Sequence, residues 1–164
     1  MERPKSSKKL GELLVDRGLI TPVQLREALA QQRSSGQFLG AILVAAKAIA
    51  PTTLLEVLSH HFGIPHETLA PERVDWSVAK QFPTSAISDG KCFPIRADAS
   101  TVTIAIVNPL DAWLLSGIER AAGNRRLVLV LVLEDDLRRT QEAYRLHALR
   151  ALEAKLKDTD GPAN

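Results

Sequence analysis

The chain has 164 residues, of which 45% are hydrophobic and 24% charged, and its formal net charge is +2. This length allows one ordinary domain or two small ones, and the nearly balanced charge argues against a general nucleic-acid binder. No apolar run approaches the roughly 18 residues that a membrane span needs, and no signal-peptide pattern follows the first residues. The single cysteine, Cys92, excludes an internal disulfide, so we predict a cytoplasmic protein without membrane insertion.

A repeated pattern dominates the first third of the chain. Residues 1–8 are polar and basic, and we predict a disordered lead-in there. Lys9–Gln32 (KLGELLVDRGLITPVQLREALAQQ) is then followed by a second copy of the same pattern at Phe38–His61 (FLGAILVAAKAIAPTTLLEVLSHH). Such a repeat is one supersecondary unit used twice, because neither copy alone can bury its apolar face. The matched pairs are Leu10 and Leu39, Gly11 and Gly40, Leu14 and Leu43, Ile20 and Ile49, Pro22 and Pro51, Leu25 and Leu54, and Leu29 and Leu58.

Each copy predicts two helices joined by a turn. In the first copy, Gly18 suits the left-handed position that ends a helix, and Thr21 with Pro22 suits the start of the next one. The second copy has Lys47 in place of the glycine and Ala50 in place of the threonine. Each of these changes costs about 1 kcal/mol of local stability. The second copy is therefore predicted to be helical from its apolar pattern more than from its end signals.

The segment after the repeat predicts short elements. A short extended stretch runs from Pro65 to Leu69, because glycine and proline end the preceding helix. A helix is predicted over Val74–Phe82, with Asp75 as its N-cap. Pro83–Gly90 then has the composition of a loop.

The remaining residues change from a helical period to strand patterns. Lys91–Arg96 and Thr101–Val107 predict a hairpin with a short loop. A helix is expected from the turn at Asn108–Asp111 to Ala122. Leu127–Leu133 predicts a strand covered on both faces, and Glu134 begins a last helix that runs to about Lys157.

These elements predict an α+β fold. A repeated helical half at residues 9–62 is followed by a small α+β half at residues 63–146, with a sheet of three or more strands. Residues 147–164 are predicted to be a helical extension and a polar tail.

The chain lacks the sequence patterns of common catalytic sites. It contains no phosphate loop of the GxxxxGK[ST] type and no nucleophile elbow. His60 and His61 are adjacent, so on a helix they point about 100° apart and cannot hold one metal ion together. We therefore predict no enzyme activity, no metal and no cofactor.

The doubled spacing LGxxLVxxGLIxxxxLxxxLxxQ, followed by NPLD at Asn108–Asp111, resembles a known family. It is similar to the N-terminal domain of type II secretion and type IV pilus assembly ATPases, the general secretory pathway protein E N-terminal or MshEN domain. The resemblance covers about Lys9–Tyr144 and does not include an ATPase module. It implies binding of cyclic di-GMP, shared between the two copies. It also implies docking onto a cytoplasmic partner in a secretion or pilus assembly complex.

The resemblance also implies where the ligand would bind. In the family an Arg precedes each Leu-Gly pair, a Gln closes each copy, and glycines and leucines lie between them. The corresponding positions in this chain are Lys9, Leu10, Gly11, Leu14, Gly18, Leu25, Leu29, Gln32, Phe38, Leu39, Gly40, Leu43, Leu54, Leu58 and His61. Plain core packing explains most of the leucines equally well.

Four positions depart from the family pattern. Lys9 keeps the positive charge but lacks the planar fork of arginine. Phe38 can stack on a base but cannot donate a hydrogen bond, whereas His61 can donate to a guanine edge. Lys47 brings a side chain where the family has a bare backbone. Each lost bidentate contact is worth about 1–3 kcal/mol, so two losses weaken binding by about a hundredfold or more.

Two functions therefore remain open. One is a regulatory or adaptor domain that binds cyclic di-GMP through a degenerate doubled motif. The other is a protein docking module that has lost nucleotide binding. The last helix, with Leu146, Leu149 and Leu152, is either a docking contact of this kind or an ordinary exposed extension.

Overall fold

The computed structural model describes residues 9–82, Ile87 and residues 91–159. They form two compact units, the first ending at Ile64 and the second beginning at Pro65. The predicted α+β class is confirmed, with helices in the first unit and a mixed sheet with helices in the second. The lead-in predicted at residues 1–8 and the end of the predicted polar tail lie outside the described residues. Within the described part of the chain, no helix is long and apolar enough to cross a membrane.

The first unit contains two helix pairs, as the repeat predicted. They are α1 (Leu10–Asp16) with α2 (Pro22–Ser35), and α3 (Leu39–Ala45) with α4 (Pro51–Phe62). One apolar core joins both pairs, because its buried members come from both copies of the repeat. These members are Leu14, Ile20, Ala28, Ile42, Leu43, Ile49 and Val57.

The Leu-Gly pair of each copy marks a close helix contact. A Cβ atom added to Gly11 would lie 2.5 Å from Cδ1 of Leu25 and 3.2 Å from Cδ2 of Leu39. The same atom added to Gly40 would lie 2.9 Å from Cδ2 of Leu54. Glycine therefore leaves room for the leucine side chains of α2 in its own copy and of α3 in the other, and an added methyl group would force those side chains to shift.

The helix ends differ between the copies as the sequence predicted. The Thr21 hydroxyl accepts a hydrogen bond from the Gln24 amide (3.1 Å), and the Gln24 side chain accepts one from the Thr21 amide (2.8 Å). Ala50 makes no such cap at the start of α4. Gly18 has a φ of 67°, and Lys47 has a φ of 55° at the equivalent turn. The second copy thus keeps the left-handed turn with a residue that pays a steric cost there.

A three-stranded mixed sheet forms the centre of the second unit. Its strands are β1 (Cys92–Ala97), β2 (Thr101–Ile106) and β3 (Arg126–Leu131), in the order β1-β2-β3. β1 and β2 are antiparallel and form the predicted hairpin, whereas β2 and β3 are parallel. The parallel pair needs a crossover, which is supplied by α6 (Ala112–Ala122).

The hairpin turn depends on one carboxylate. The side chain of Asp98 accepts hydrogen bonds from the amides of Ser100 and Thr101 and from both of their hydroxyl groups. These bonds, above all the one from the Thr101 hydroxyl, hold the pKa of Asp98 well below its ordinary value. An aspartate that closes a turn in this way explains the short loop between the strands.

Short segments before the sheet complete the second unit. The predicted extended segment lies beside β3, where the Glu67 amide donates to the Leu131 carbonyl and the Leu131 amide donates to the Pro65 carbonyl. A single 3₁₀ turn at Pro71–Arg73 leads to α5 (Trp76–Ala79), and the Asp75 carboxylate caps α5 by accepting from the Ser77 amide.

Several predicted element boundaries are wrong, including those of β1 and β2, which each differ by one residue. The helix predicted over Val74–Phe82 is only the four-residue α5, because the following amides of Gln81 and Phe82 bond three residues back rather than four. β3 ends at Leu131, two residues before the predicted end, although Val132 still donates to the Ile106 carbonyl. The loop predicted at Pro83–Gly90 lies outside the described residues except for Ile87, which is helical and buried.

The last helix, α7 (Glu134–Thr159), has two different halves. Its first turns are anchored in the unit, with Leu137 and Thr140 fully buried and the Gln141 amide donating to the carbonyls of Ile87 and Cys92. Tyr144 then lies against the ring of Trp76, with centroids 5.7 Å apart. After this contact every described side chain of α7 is exposed or only half-buried.

The glycine contact in the first unit generates a stability prediction. We expect Gly11→Ala to lower the free energy of unfolding by about 1–3 kcal/mol, because the new methyl group must displace Leu25 and Leu39. The matched control is Gly117→Ala in α6, where an added Cβ meets nothing within 4 Å. There we expect a gain of about 0.5–1 kcal/mol from the better helix propensity of alanine.

Urea unfolding followed by circular dichroism checks both changes. The two units need not unfold together, so each variant is judged by the transition of its own unit. Equal shifts for the two alanine variants would contradict the close contact at Gly11.

Candidate ligand-binding site in the doubled helical motif

All of the predicted ligand-binding positions lie in the first unit, but the structure divides them by exposure. Gly11, Leu14, Leu43 and Leu58 are buried. Leu14 is 0% exposed and Leu43 is 1% exposed. These four residues hold the helices together and offer no surface to a ligand in this conformation.

A second group of the predicted positions remains half-buried. Because these side chains are only partly covered, they present apolar surface, and all of them except Leu29 pack against the core of the unit. The group consists of Leu10, Leu25, Leu29, Leu39 and Leu54. Gly11 lies between Leu25 of the first copy and Leu39 of the second, so this apolar surface passes from one copy to the other.

The polar positions lie at the ends of the helices. Lys9 and Phe38 occupy equivalent N-cap positions before α1 and α3, and both are exposed, Phe38 by 39%. Gln32 on α2 and His61 on α4 are half-buried. The first copy therefore presents a cation and an amide at these positions, whereas the second presents a phenyl ring and an imidazole.

The two left-handed turns are equivalent in backbone but not in surface. Gly18 is exposed, and nothing lies within 4 Å of the position where a Cβ would be. Lys47 is also exposed and has the same backbone conformation. The turn of the first copy therefore leaves its backbone open to a ligand, while the turn of the second carries a long charged side chain.

The structure adds a contact between the copies that sequence reasoning missed. Nη2 of Arg17, at the end of α1, lies 3.4 Å from Nδ1 of His60 on α4. His61 is the next residue, and its pKa is lowered by partial burial, by the Arg17 charge and by His60. Among the described residues, no carboxylate lies within ion-pair distance of these three side chains. We call Arg17, His60 and His61 the inter-copy cluster.

The difference between the two copies of the repeat indicates this cluster. Arg17 is matched by Ala46, and His60 is matched by Gln31, so the arginine and the histidine each occur in only one copy of the repeat. The repeat alignment shows the asymmetry, but only the packing of α1 near α4 brings the unmatched residues together. Sequence spacing could not predict a contact across 43 residues.

The second unit has two clefts that do not include any predicted site residue. One, of about 310 Å³, is lined by residues that include Phe82, Phe93, Gln141 and Tyr144. The other, of about 220 Å³, is lined partly by Glu67 and by Arg96, whose guanidinium is already paired with that carboxylate at 3.0 Å. No group of three metal-ligating side chains occurs among the residues that the structure describes.

A protein-family comparison assigns the chain. The MshEN domain model matches residues 62–151, which is more than half of the chain. The chain therefore belongs to the MshEN domain family, as the resemblance of the sequence implied. This match covers most of the second unit and leaves the doubled motif of the first unit outside it.

Two of the curated relatives are type IV pilus assembly ATPases. The chain is 30% identical over 118 residues to the type IV pilus assembly ATPase PilB of Thermus thermophilus, covering 71% of this chain and 13% of that protein. It is 28% identical over 138 residues to PilB of Myxococcus xanthus, covering 84% of this chain and 24% of that protein. The chain thus spans less than a quarter of the length of either relative.

A solved structure shares the fold. The structure of MshE with cdg, that is cyclic di-GMP, superposes with a TM-score of 0.72 at 24% sequence identity. It covers 84% of this chain and 99% of the MshE chain. The covered share exceeds the second unit alone, so the common fold extends into the doubled motif.

Proposed function

We propose that the chain is a non-catalytic, cytoplasmic regulatory domain that binds cyclic di-GMP through the doubled motif of its first unit. The observation that carries this proposal is the first copy of the repeat. It combines an exposed cation at Lys9, an open left-handed turn at Gly18 and a half-buried amide at Gln32 around half-buried leucines. The shared fold with MshE, whose structure contains cyclic di-GMP, supports the proposal.

The chemistry of the ligand suits these groups. Cyclic di-GMP has two flat purines, two guanine edges and two phosphodiesters. Leu25 and Leu39 supply apolar surface for a purine face, and the amide of Gln32 can both donate to and accept from a guanine edge. Lys9 supplies a positive charge for a phosphate, although it lacks the bidentate fork of arginine.

The second copy supports weaker recognition. Phe38 offers a stacking surface but no donor, and the side chain of Lys47 projects from the turn that is bare in the first copy. Because each bidentate contact is worth about 1–3 kcal/mol, we propose that the first copy contributes most of the specific binding energy.

The decisive experiment is isothermal titration of the whole chain with cyclic di-GMP. We expect low-micromolar binding, and we expect Gln32→Ala to weaken it by roughly 10-fold to 100-fold because a guanine-edge contact is lost. Gln31→Ala is the matched control, since this residue is the exposed neighbour on the same helix. If a high concentration of cyclic di-GMP produces neither binding heat nor a thermal shift, the proposed function is wrong.

A variant that is expected to increase affinity provides a second test of the same site. We expect Phe38→Arg to tighten binding by about 10-fold, because a guanidinium can form the bidentate guanine contact that phenylalanine cannot. Val23→Arg is the control for added charge, since Val23 is a 50%-exposed apolar residue of the same unit. Equal tightening by both variants would mean that net charge alone is responsible.

A second function is favoured by the exposed end of α7. Four leucines there are between 51% and 59% exposed: Leu146, Leu149, Leu152 and Leu156. We call them the leucine stripe. Tyr144 faces the body of the unit against Trp76, and Leu149 lies five residues later, roughly 140° around the helix. The stripe therefore points away from the unit, as a protein contact surface would.

The charges beside the stripe favour one kind of partner. Arg145, Arg150 and Lys157 flank it and form no ion pair among the described residues. We propose that the leucine stripe docks an acidic amphipathic helix of another protein in a pilus or secretion assembly. A second copy would bring these like charges together, and a bilayer would have to bury Glu153, which lies between Leu146 and Leu149 on the helix face.

A synthetic amphipathic helix with leucines on one face and glutamates beside them is the probe for this surface. We expect Leu149→Ser combined with Leu152→Ser to weaken its binding at least 10-fold in fluorescence anisotropy, because apolar burial is lost. Val23→Ser is the matched control, and a peptide with lysines in place of the glutamates should bind more weakly. Loss of self-association or of binding to anionic vesicles in the double variant, with no peptide binding, would identify a different occupant.

A further inference from the structure

The larger cleft of the second unit has a floor of aromatic rings. It has a volume of about 310 Å³ and is lined in part by Phe82, Phe93 and Tyr144. The rings of Phe93 and Tyr144 meet edge to face, with their centroids 5.5 Å apart. A cavity of about 150 Å³ already holds a benzene molecule, so this cleft has room for a two-ring aromatic group. Such a group can continue the edge-to-face packing of the floor.

One wall of the cleft carries an amide whose orientation is fixed. The Gln141 side chain is only 8% exposed and lines the cleft. Its Nε2 donates to the carbonyls of Ile87 at 3.4 Å and Cys92 at 3.2 Å. Because both of these partners are acceptors, Nε2 and Oε1 cannot exchange places. No described residue donates a hydrogen bond to Oε1.

The Oε1 atom of Gln141 is accessible from the cleft. In the part of the chain that the structure describes, the side-chain polar atom that is both sealed from solvent and unpartnered is Nδ2 of Asn108. Oε1 of Gln141 is unpartnered but not sealed, and the cleft is the open space that this residue lines. A guest that carries an N–H group can therefore form a directed hydrogen bond with Oε1.

Two cations stand at the edge of the same cleft. Lys80 follows α5 and Arg145 belongs to α7, and both side chains are exposed. Neither forms an ion pair with a residue of the described ranges. The described residues that line the cleft include no carboxylate. The cleft thus combines an apolar floor, one fixed acceptor and an unbalanced positive edge, which complements an acidic guest.

We propose that this cleft binds a tryptophan side chain that lies in an acidic segment of a partner protein. Tryptophan is the side chain that has two rings and a single N–H donor, and it is enriched among the residues that anchor interfaces in pockets. Its rings lie on the aromatic floor, and its N–H donates to Oε1 of Gln141. Carboxylates beside it in the segment pair with Lys80 and Arg145. The cleft belongs to the second unit, so this binding does not depend on a ligand of the doubled motif.

The probe for the cleft is a capped five-residue peptide with one tryptophan between acidic residues. We expect it to bind the whole chain with a dissociation constant of roughly 0.1–1 mM, as suits a single anchoring side chain. NMR detects binding of this strength. The side-chain amide signals of Gln141 should shift when the peptide is added, whereas those of Gln31, an exposed glutamine of the first unit, should not.

Changes in the peptide test the contacts without disturbing the protein. A peptide with 1-methyltryptophan keeps both rings but loses the N–H donor, and we expect it to bind about 10-fold more weakly. A peptide with lysines in place of the acidic residues should show no measurable binding, because it brings like charges to Lys80 and Arg145. Equal binding of the tryptophan and 1-methyltryptophan peptides would overturn the hydrogen bond to Gln141 and the choice of tryptophan.

Charge reversal at the edge of the cleft tests the location. Lys80→Glu should weaken binding of the acidic peptide about 10-fold, and high salt should reduce this difference. Arg120→Glu is the matched control, since Arg120 is an exposed cation of α6 that does not line the cleft. If both variants weaken binding equally, net charge attracts the peptide and the cleft is not its site.

Three further results would also overturn the proposal. The first is the absence of any shift at Gln141. The second is loss of peptide binding in the Leu149→Ser, Leu152→Ser variant without an effect of Lys80→Glu, which would place the peptide on the leucine stripe. The third is self-association of the chain that Trp113→Ala abolishes while freeing the cleft for the peptide. Because Trp113 is 80% exposed, a second copy of the chain would then be the occupant. The titration with cyclic di-GMP is a separate measurement, so either proposal can fail without the other.

Discussion

The close approach of helices at Gly11 is the contact on which the first unit depends. It places α1 against Leu25 of its own copy and Leu39 of the other, so one core can form from two copies that could not each bury their apolar faces. The Leu-Gly spacing is therefore required by packing alone. Its retention shows that the scaffold is kept, while the evidence for a ligand must come from the exposed Lys9 and Phe38 and the half-buried Gln32.

Local signals explain why much of the fold was predictable. Thr21 caps the start of α2, Gly18 follows α1 in the left-handed region, and Asp98 closes the hairpin turn. Each of these residues acts on neighbours only a few positions away in the sequence. The wrong boundaries have a different origin. After Ala79 the amides of Gln81 and Phe82 change to tighter hydrogen bonds, and β3 ends where its pairing with β2 ends. Tertiary contacts decide such ends, and the contact between Arg17 and His60 was hidden from sequence reasoning for the same reason.

The first half of α7 packs against the second unit, whereas its second half is exposed. Up to Tyr144 its residues satisfy the unit, with Leu137 buried and Gln141 bonded to two backbone carbonyls. Beyond that point the same helical period continues, but the leucines are more than half exposed. The sequence pattern alone cannot distinguish these halves. Apolar residues recur at the same helical spacing whether they pack inside their own unit or against another protein. Burial is the property that separates them.

The two copies of the repeat have diverged in charge while keeping one backbone. Lys47 adopts the same left-handed backbone conformation as Gly18. Because a non-glycine residue is strained in this conformation, the second copy keeps the shape of the first but loses local stability. Its N-cap cation is replaced by Phe38, yet Arg17 of the first copy lies beside its histidines. A symmetric repeat would offer a two-fold symmetric ligand two equal half-sites. This unit instead has an amide and an open turn in its first copy, and an imidazole and a lysine-bearing turn in its second. A ligand that contacted both copies would therefore meet different chemical groups in each.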